Sequence, residues 1–368
     1  MKRLILLGGG HAHVKVLADL ARLPLDGWEV QLVTPFRRQI YSGMLPGWIA
    51  GHYPIESCAI ALDVLAARAG VAFHETAGTA LDANGSRLEC ADGATRPFDL
   101  LSVDTGPAPA LDHLPGAAEH ALPIRPIEGF VAAWPALVDR ILGQCQRFDL
   151  VVLGAGAGGV ELAFAIAHRA ARDGWSHLRV ALVGSQELPL EGAPAAARRR
   201  ALTLLRERGI AWHGSSRATR IGRDRIERDG AAPIPFDACL LVTGAAAPAW
   251  PAASGIAVDD GGFIRIGPTL QSVSHPNVFA AGDIASHADP MRKSGVYAVR
   301  AGPVLSENLR LAATGIAPRP WRPQRRALYL VSMGNRYAMA MWGRWSWSGR
   351  WVWYWKDRID RGFISRFN

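Results

Sequence analysis

Cysteine is scarce in this chain. Its four cysteines (Cys58, Cys90, Cys145 and Cys239) are dispersed through 368 residues and form no CxxC pair. That excludes a disulfide framework and a cysteine-built zinc site, so no metal is expected, and it argues for a reducing cytoplasm. No run of about 18 apolar residues occurs, so no helix is expected to span a membrane. The opening MKRLILLGGGHAH runs from a short apolar stretch directly into glycines, not into the small-residue cleavage site of a signal peptide. Charged residues make up only 20% against 49% hydrophobic, which excludes disorder.

Most of the chain also lacks net charge. Residues 1–316 carry 30 basic and 30 acidic side chains. Residues 317–368 carry 11 basic residues against Asp357 and Asp360 alone, so the formal charge of +9 lies there. A body that bound nucleic acid would carry the excess itself. Nucleic acid is therefore not an expected partner, and the pattern reads as an enzyme with a basic docking segment.

What the chain does have is a repeated glycine pattern. KRLILL at 2–7 reads as a buried strand, followed by Gly8-Gly9-Gly10, an amphipathic helix to about Leu23 and a second strand at Val30–Val33. The order recurs at 148–183, around Gly154-Ala155-Gly156-Ala157-Gly158-Gly159. Phe98-Asp99-Leu100-Leu101-Ser102-Val103-Asp104-Thr105-Gly106 resembles Phe236-Asp237-Ala238-Cys239-Leu240-Leu241-Val242-Thr243-Gly244. Two such copies predict an α/β fold with two nucleotide-binding domains. Phe263–Ile266, Val278–Ala281 and a helix from about Ser294 to Ala312 read as a return to the first of them. The expected division is 1–118 and 250–320 for the first domain, 119–249 for the second, and 321–368 for a small α+β tail.

A glycine turn between strand and helix lets backbone approach a pyrophosphate, and the helix N-terminus offers it free N–H groups. Gly154, Gly156 and Gly159 fit GxGxxG fully, whereas the first copy has Gly8 and Gly10 but His13 in place of the third glycine. The helix there is expected to sit further out. His11 and His13 either point at a phosphate or ring edge, or pack as imidazoles at a helix start. Neither second strand ends in an acidic residue, since Thr34 and Ser185 stand near those positions, which leaves NADH against NADPH open. Arg198-Arg199-Arg200 reads as a 2′-phosphate contact or as a solvated helix face.

With GGGHAHV, GAGAGGVELA, the two Thr-Gly strands and Asn277-Val278-Phe279-Ala280-Ala281-Gly282-Asp283, the chain resembles the two-dinucleotide-binding-domain flavoproteins of the pyridine nucleotide-disulfide oxidoreductase superfamily. The resemblance spans about residues 1–312 and implies two Rossmann-like domains, FAD at the first glycine motif and NAD(P)H at the second. Disulfide reductases need a second cysteine four residues from Cys58, and sulfide:quinone reductases need one in the C-terminal region; neither is present. Gly159-Val160-Glu161-Leu162-Ala163 and Tyr41-Ser42-Gly43-Met44-Leu45-Pro46 resemble segments of type II NADH:quinone oxidoreductases. The YSGMLPG segment, Lys293–Pro303 and Gly349–Arg361 resemble a group of such flavoproteins, some of them fused to selenophosphate synthetase.

By that resemblance Gly8, Gly10, His11, Ala12, Thr34, Pro46, Thr105, Gly106, Gly154, Gly156, Gly159, Gly244, Gly282 and Asp283 are expected to bind the cofactors. Glu161 and Lys293 are the expected catalytic residues, Arg300 being an alternative cation to Lys293. The implied reaction is FAD-dependent oxidation of NAD(P)H with a quinone or similar small acceptor. Two alternatives stay open, a reductase linked to selenium metabolism and a flavin/NAD(H) redox sensor or scaffold.

Six of the 13 tryptophans lie between Trp342 and Trp355. Leu328–Ser332 and Tyr337–Trp342 read as a hairpin around Gly334-Asn335. Beyond Gly349 a helix would carry the apolar stripe Trp351, Val352, Trp355, Ile359, Phe363 and Phe367. Tryptophan beside arginine suits a membrane interface, which would make the protein peripheral on the inner face of the cell membrane. Packing on the body or in a homodimer is the other reading of the same stripe.

Overall fold

A computed structural model describes residues 1–288, 293–324 and 326–368. β1 (Lys2–Leu7) is a nearly unbroken apolar run, the pattern of a strand covered on both faces, and it is buried from Leu4 onward. α1 (His11–Arg22) follows, with Val14, Leu17 and Leu20 among its core residues, and then β2 (Trp28–Thr34). β3 (Ala72–Glu75) extends the sheet beyond β2, and β4 (Leu100–Val103) pairs with the other side of β1.

A second sheet repeats the plan. It contains β5 (Leu122–Pro123), β6 (Phe148–Leu153), β7 (Leu178–Val183), β8 (Ala211–His213) and β9 (Ala238–Leu241) in the spatial order β5-β9-β6-β7-β8. α2 (Ala157–Asp173) links β6 to β7 and ends at Gly174, whose φ of +76° suits the left-handed cap. The chain then returns: β10 (Val278–Ala280) adds to the free side of β4, giving the first sheet the order β10-β4-β1-β2-β3. Every pairing in both sheets is parallel. α3 (Gly295–Ala313) lies along α1. In both halves a three-stranded antiparallel ribbon, at 78–97 and at 218–235, leads into the Thr-Gly strand.

The tail holds one strand more than the hairpin expected. β11 (Tyr329–Ser332), β12 (Ala338–Trp342) and β13 (Trp345–Gly349) form an antiparallel sheet, and α4 (Arg350–Ile364) packs against it. The apolar stripe of α4 is split. Val352, Phe363 and, just past the helix end, Phe367 are buried, as the packing reading has it, but Trp351, Trp355 and Ile359 are exposed. The buried face contains Trp353, Lys356, Asp360 and Ile364 instead. Opposite charges one helical turn apart satisfy each other there, so the inward face is not marked by hydrophobicity alone.

Candidate functional site

The two glycine turns are built alike. Gly8 has φ +94°, and a Cβ there would stand 2.5 Å from the carbonyl oxygen of Asp104, just beyond β4. Gly154 has φ +117°, and its Cβ would stand 2.6 Å from the carbonyl oxygen of Val242, just beyond β9. At the third glycine position the turns part. A Cβ on Gly159 would lie 1.7 Å from the Gly154 carbonyl oxygen, so only glycine fits. His13 occupies that position in the first turn and is fully buried. Its Nδ1 is 2.6 Å from the Gly8 carbonyl oxygen and its Nε2 is 2.8 Å from Ser102 Oγ. A carbonyl only accepts, so Nδ1 carries the proton and Nε2 accepts from the hydroxyl. Burial pushes this imidazole down to about 4, and it stays neutral. His13 therefore packs between α1 and the sheet; of the two readings open in the sequence, the structural one describes it.

A cleft of about 480 Å³ opens above the first turn, within the roughly 300–1,000 Å³ of small-molecule and cofactor sites. Gly8, Gly10, His11, Thr34, Thr105, Gly106 and Asp283 line it. So do Asp104, Gln39, Arg38 and Arg125, none of which the sequence singled out. Arg125 lies 3.5 Å from Asp283. Burial raises the Asp283 carboxyl and Arg125 opposes it. His11 and Gln39 bond each other at 3.0 Å, yet His11 Nε2 and Gln39 Oε1 are both buried without a partner. A ligand rich in polar groups would satisfy them, and in that respect the wall fits a dinucleotide. Burial, and then the Arg125 charge, push the His11 imidazole down to about 4.

Four of the residues expected beside FAD lie off this wall. Ala12 is buried in α1 and gives its N–H to Asp104 Oδ2 at 2.8 Å. Pro46 is buried in the short helix Leu45–Ile49. Gly282 and Lys293 line a smaller neighbouring cavity, where Lys293 Nζ donates to the Ala285 carbonyl at 2.6 Å and stands 3.6 Å from the centre of the Phe263 ring. Arg300 is exposed.

At the second turn, the N–H groups of Ala157, Gly158 and Gly159 find no acceptor among the described residues. A Cβ on Gly156 or Gly244 would face open space. Three free donors at the positive end of a 17-residue helix fit an anionic phosphate group. No acidic residue ends β7, where Ser185 stands two residues on. Arg198 is committed elsewhere, donating to the Leu188 and Pro189 carbonyls, and Arg200 reaches Glu207 and the Tyr337 hydroxyl.

Glu161, in the second turn of α2, faces the tail. Its Oε1 accepts the Ser332 N–H at 2.7 Å. Burial pushes its carboxyl up to about 7 against the opposing Lys356 charge. Lys356 donates to the Gly43 carbonyl and to Asp360 Oδ2, both at 2.6 Å. Burial works against the Lys356 ammonium, but Asp360 and Glu161 outweigh it and keep it charged. Phe363 of α4 stacks on Tyr41 at 4.7 Å and reaches His11 at 5.9 Å. The tail thus touches His11 of the cleft and Glu161 beside the second turn at once. The two expected catalytic residues thus have separate partners, Glu161 the Ser332 N–H and Lys293 the Ala285 carbonyl.

The family model described as pyridine nucleotide-disulphide oxidoreductase matches residues 2–306. Demethylphylloquinone reductase NdbB of Synechocystis sp. is 25% identical over 297 residues, 78% of this chain and 72% of that protein. An NADH dehydrogenase-like protein of Mycobacterium tuberculosis is 23% identical over 296 residues, 78% of this chain and 73% of its own. Among solved structures, NDH2 of Plasmodium falciparum in complex with NADH superimposes with TM-score 0.84 at 12% identity, covering 100% of this chain and 97% of that one. Sulfide:quinone oxidoreductase of Aquifex aeolicus gives TM-score 0.83 at 16% identity, covering 100% and 91%. Both glycine turns, each heading its own parallel sheet, lie within the matched residues, and the chain belongs to the pyridine nucleotide-disulphide oxidoreductase family.

Proposed function

We propose that this FAD- and NAD(P)H-dependent oxidoreductase passes a hydride from NAD(P)H at the second glycine turn to FAD at the first, and electrons onward to a quinone. The observation that carries the reading is the pairing of the cleft above Gly8 and Gly10 with the free N–H groups at Ala157–Gly159. Flavin, when bound, supplies the hydride and electron chemistry itself. The chain's own residues bind, orient and exclude water. Gly8, Gly10, Thr34, Thr105, Gly106 and Asp283 form the FAD wall, with His11 Nε2 and Gln39 Oε1 offering hydrogen bonds into it. Gly154, Gly156, Gly159 and Gly244 shape the nicotinamide nucleotide's seat. Ala12 supports the FAD wall through its N–H bond to Asp104, Pro46 lies buried in its own short helix, and Gly282 and Lys293 line the neighbouring cavity.

Glu161 holds or releases a proton at neutral pH where the two halves and the tail meet. Lys356 beside it keeps a positive charge in a buried place. In this reading residues 1–118 and 250–320 form the FAD part, 119–249 the NAD(P)H part and 321–368 the docking tail. A quinone acceptor agrees with the names of the relatives, a demethylphylloquinone reductase and a sulfide:quinone oxidoreductase. No helix of the described residues is long and apolar enough to cross a membrane. The exposed Trp345, Trp347, Trp351 and Trp355, set among the exposed Arg344, Arg350 and Arg358, suit an anionic lipid surface from which a quinone is drawn. A homodimer through the same face is the competing occupant. The resemblance of YSGMLPG and Gly349–Arg361 to flavoproteins some of which are fused to selenophosphate synthetase suggests a second reading, a reductase linked to selenium metabolism.

Steady-state oxidation of NADH and of NADPH with quinones, ferredoxin, selenium compounds and dioxygen as acceptors tests the proposal. Quinone turnover well above the oxidase rate is expected. Slow oxidase activity alone would overturn it in favour of a redox sensor, and preference for a selenium compound would select the second reading.

A further inference from the structure

Asp104 has no counterpart in the second half of the molecule. The two Thr-Gly strands align residue by residue, and Val242 stands where Asp104 does. The backbones agree there, as the matching approaches of Gly8 and Gly154 show. The side chains do not. Asp104 Oδ2 accepts the N–H groups of Ala12 at 2.8 Å and His13 at 3.1 Å, in the first turn of α1. Their equivalents in α2, on Gly158 and Gly159, are free among the described residues. The first nucleotide site therefore keeps a carboxylate at the very helix end that would bind an anion.

That carboxylate faces the ligand space. Asp104 is 3% exposed yet lines the cleft, and both hydrogen bonds its carboxylate takes from described residues go to Oδ2, leaving Oδ1 unused. Oδ1 sits against two bare glycines: a Cβ on Gly10 would lie 2.3 Å from it and one on Gly282 2.5 Å. Both loops are shaped around this side chain. The charged and titratable groups facing it offer no compensating cation. Asp283 adds negative charge, and Arg125 lies against Asp283 at 3.5 Å. His11 and His13 are held neutral, and Lys293 is turned to the Ala285 carbonyl. An ionised Asp104 beside a pyrophosphate would set like charges together, an arrangement in which one group gives up its charge.

We propose that Asp104 binds the pyrophosphate of FAD as a neutral carboxylic acid, donating Oδ1–H to a phosphate oxygen while Oδ2 continues to cap α1. The inference rests on the reading that FAD occupies the first glycine turn. When the dinucleotide meets the ionised side chain, one proton passes from solvent to Oδ1, and nothing is oxidised or reduced. Burial, reinforced by Asp283 and opposed by the two N–H groups, already pushes the Asp104 carboxyl up to about 7. Above that pH FAD binding takes up a proton, and the dissociation constant rises by up to about tenfold per pH unit.

The test dilutes the flavin-loaded full-length protein at several pH values between about 6 and 9 and follows free FAD by its fluorescence. Calorimetry of FAD rebinding in two buffers of different protonation enthalpy counts protons. FAD binding should weaken above about pH 7 with an uptake approaching one proton per FAD. Asp104→Asn donates from its amide at every pH, so its dissociation constant should vary less than about twofold over the range with no proton taken up. Glu161 also titrates near neutrality, against the tail, and E161Q should leave the pH dependence in place. Wild-type binding that is independent of pH and releases no net buffer heat would overturn the proposal, even if D104N fails to fold. Retention of the pH dependence by a folded D104N would overturn it too. A folded wild-type protein that neither carries nor takes up FAD at any pH would instead defeat the reading of the first turn as the FAD site.

Discussion

At the residue scale, the same position in the two glycine turns has opposite requirements. Gly159 has no room for a methyl group, because its Cβ would stand 1.7 Å from a carbonyl oxygen. Gly159→Ala should therefore lower stability by about 1–3 kcal/mol or more and weaken NAD(P)H binding far more than FAD binding, as equilibrium unfolding and nucleotide titration would show. His13 answers the same gap with a ring that bonds Gly8 and Ser102. The carboxyls of Asp104 and Glu161 are both raised to about 7, chiefly by burial. The folded protein then keeps protons that the unfolded chain loses from about pH 4 upward, so stability falls as pH rises through that window and levels off above about 7. Urea midpoints at pH 5 and pH 8 should differ less in D104N and in E161Q than in the wild type. The glycines, the Thr-Gly pairs and Asp283 were legible in the sequence because each belongs to a local motif. Asp104, Gln39 and Arg125 were not, because their roles exist only once β4, α1 and the segment before Ile127 converge on one cleft.

At the scale of elements, the parallel strands were the easiest to read, since β1 and β6 are apolar runs that end at glycine turns, and β2 and β7 follow the helices those turns begin. The antiparallel ribbons were not, because each of their strands is only three to five residues long and mostly exposed. The helix Ile127–Gly143 carries Pro135, which obscures its pattern. α4 is amphipathic in an unexpected sense: it buries a lysine and an aspartate, with side chains 9% and 7% exposed, and leaves two tryptophans outside. Lys356→Met strands Asp360 in that buried place and should cost about 3–5 kcal/mol. Adding Asp360→Leu removes the stranded charge, so the double variant should recover most of the loss in denaturant unfolding. A single variant as stable as the wild type would mean the pair is solvated.

At the scale of the whole molecule, the charge imbalance acquires a structural address. The neutral stretch 1–316 contains both parallel sheets, and the basic remainder holds the tail that bonds Glu161, Gly43 and Tyr53 through its inner side. Its outer side exposes Trp345, Trp347, Trp351 and Trp355 beside Arg344, Arg350 and Arg358. Full-length protein should sediment with anionic vesicles and lose most of that binding in a W345S/W351S/W355S variant or at high salt. Equal sedimentation of both proteins would refute the docking role, and a change in oligomeric state instead would assign the face to a second copy. The hydride path proposed between the two glycine turns joins both halves of the molecule. Anaerobic mixing of the purified yellow protein with NADH, and separately with NADPH, tests it most directly. Rapid bleaching of the flavin absorbance by at least one donor is expected, and its loss in Gly159→Ala. Yellow colour that persists with both donors would contradict it.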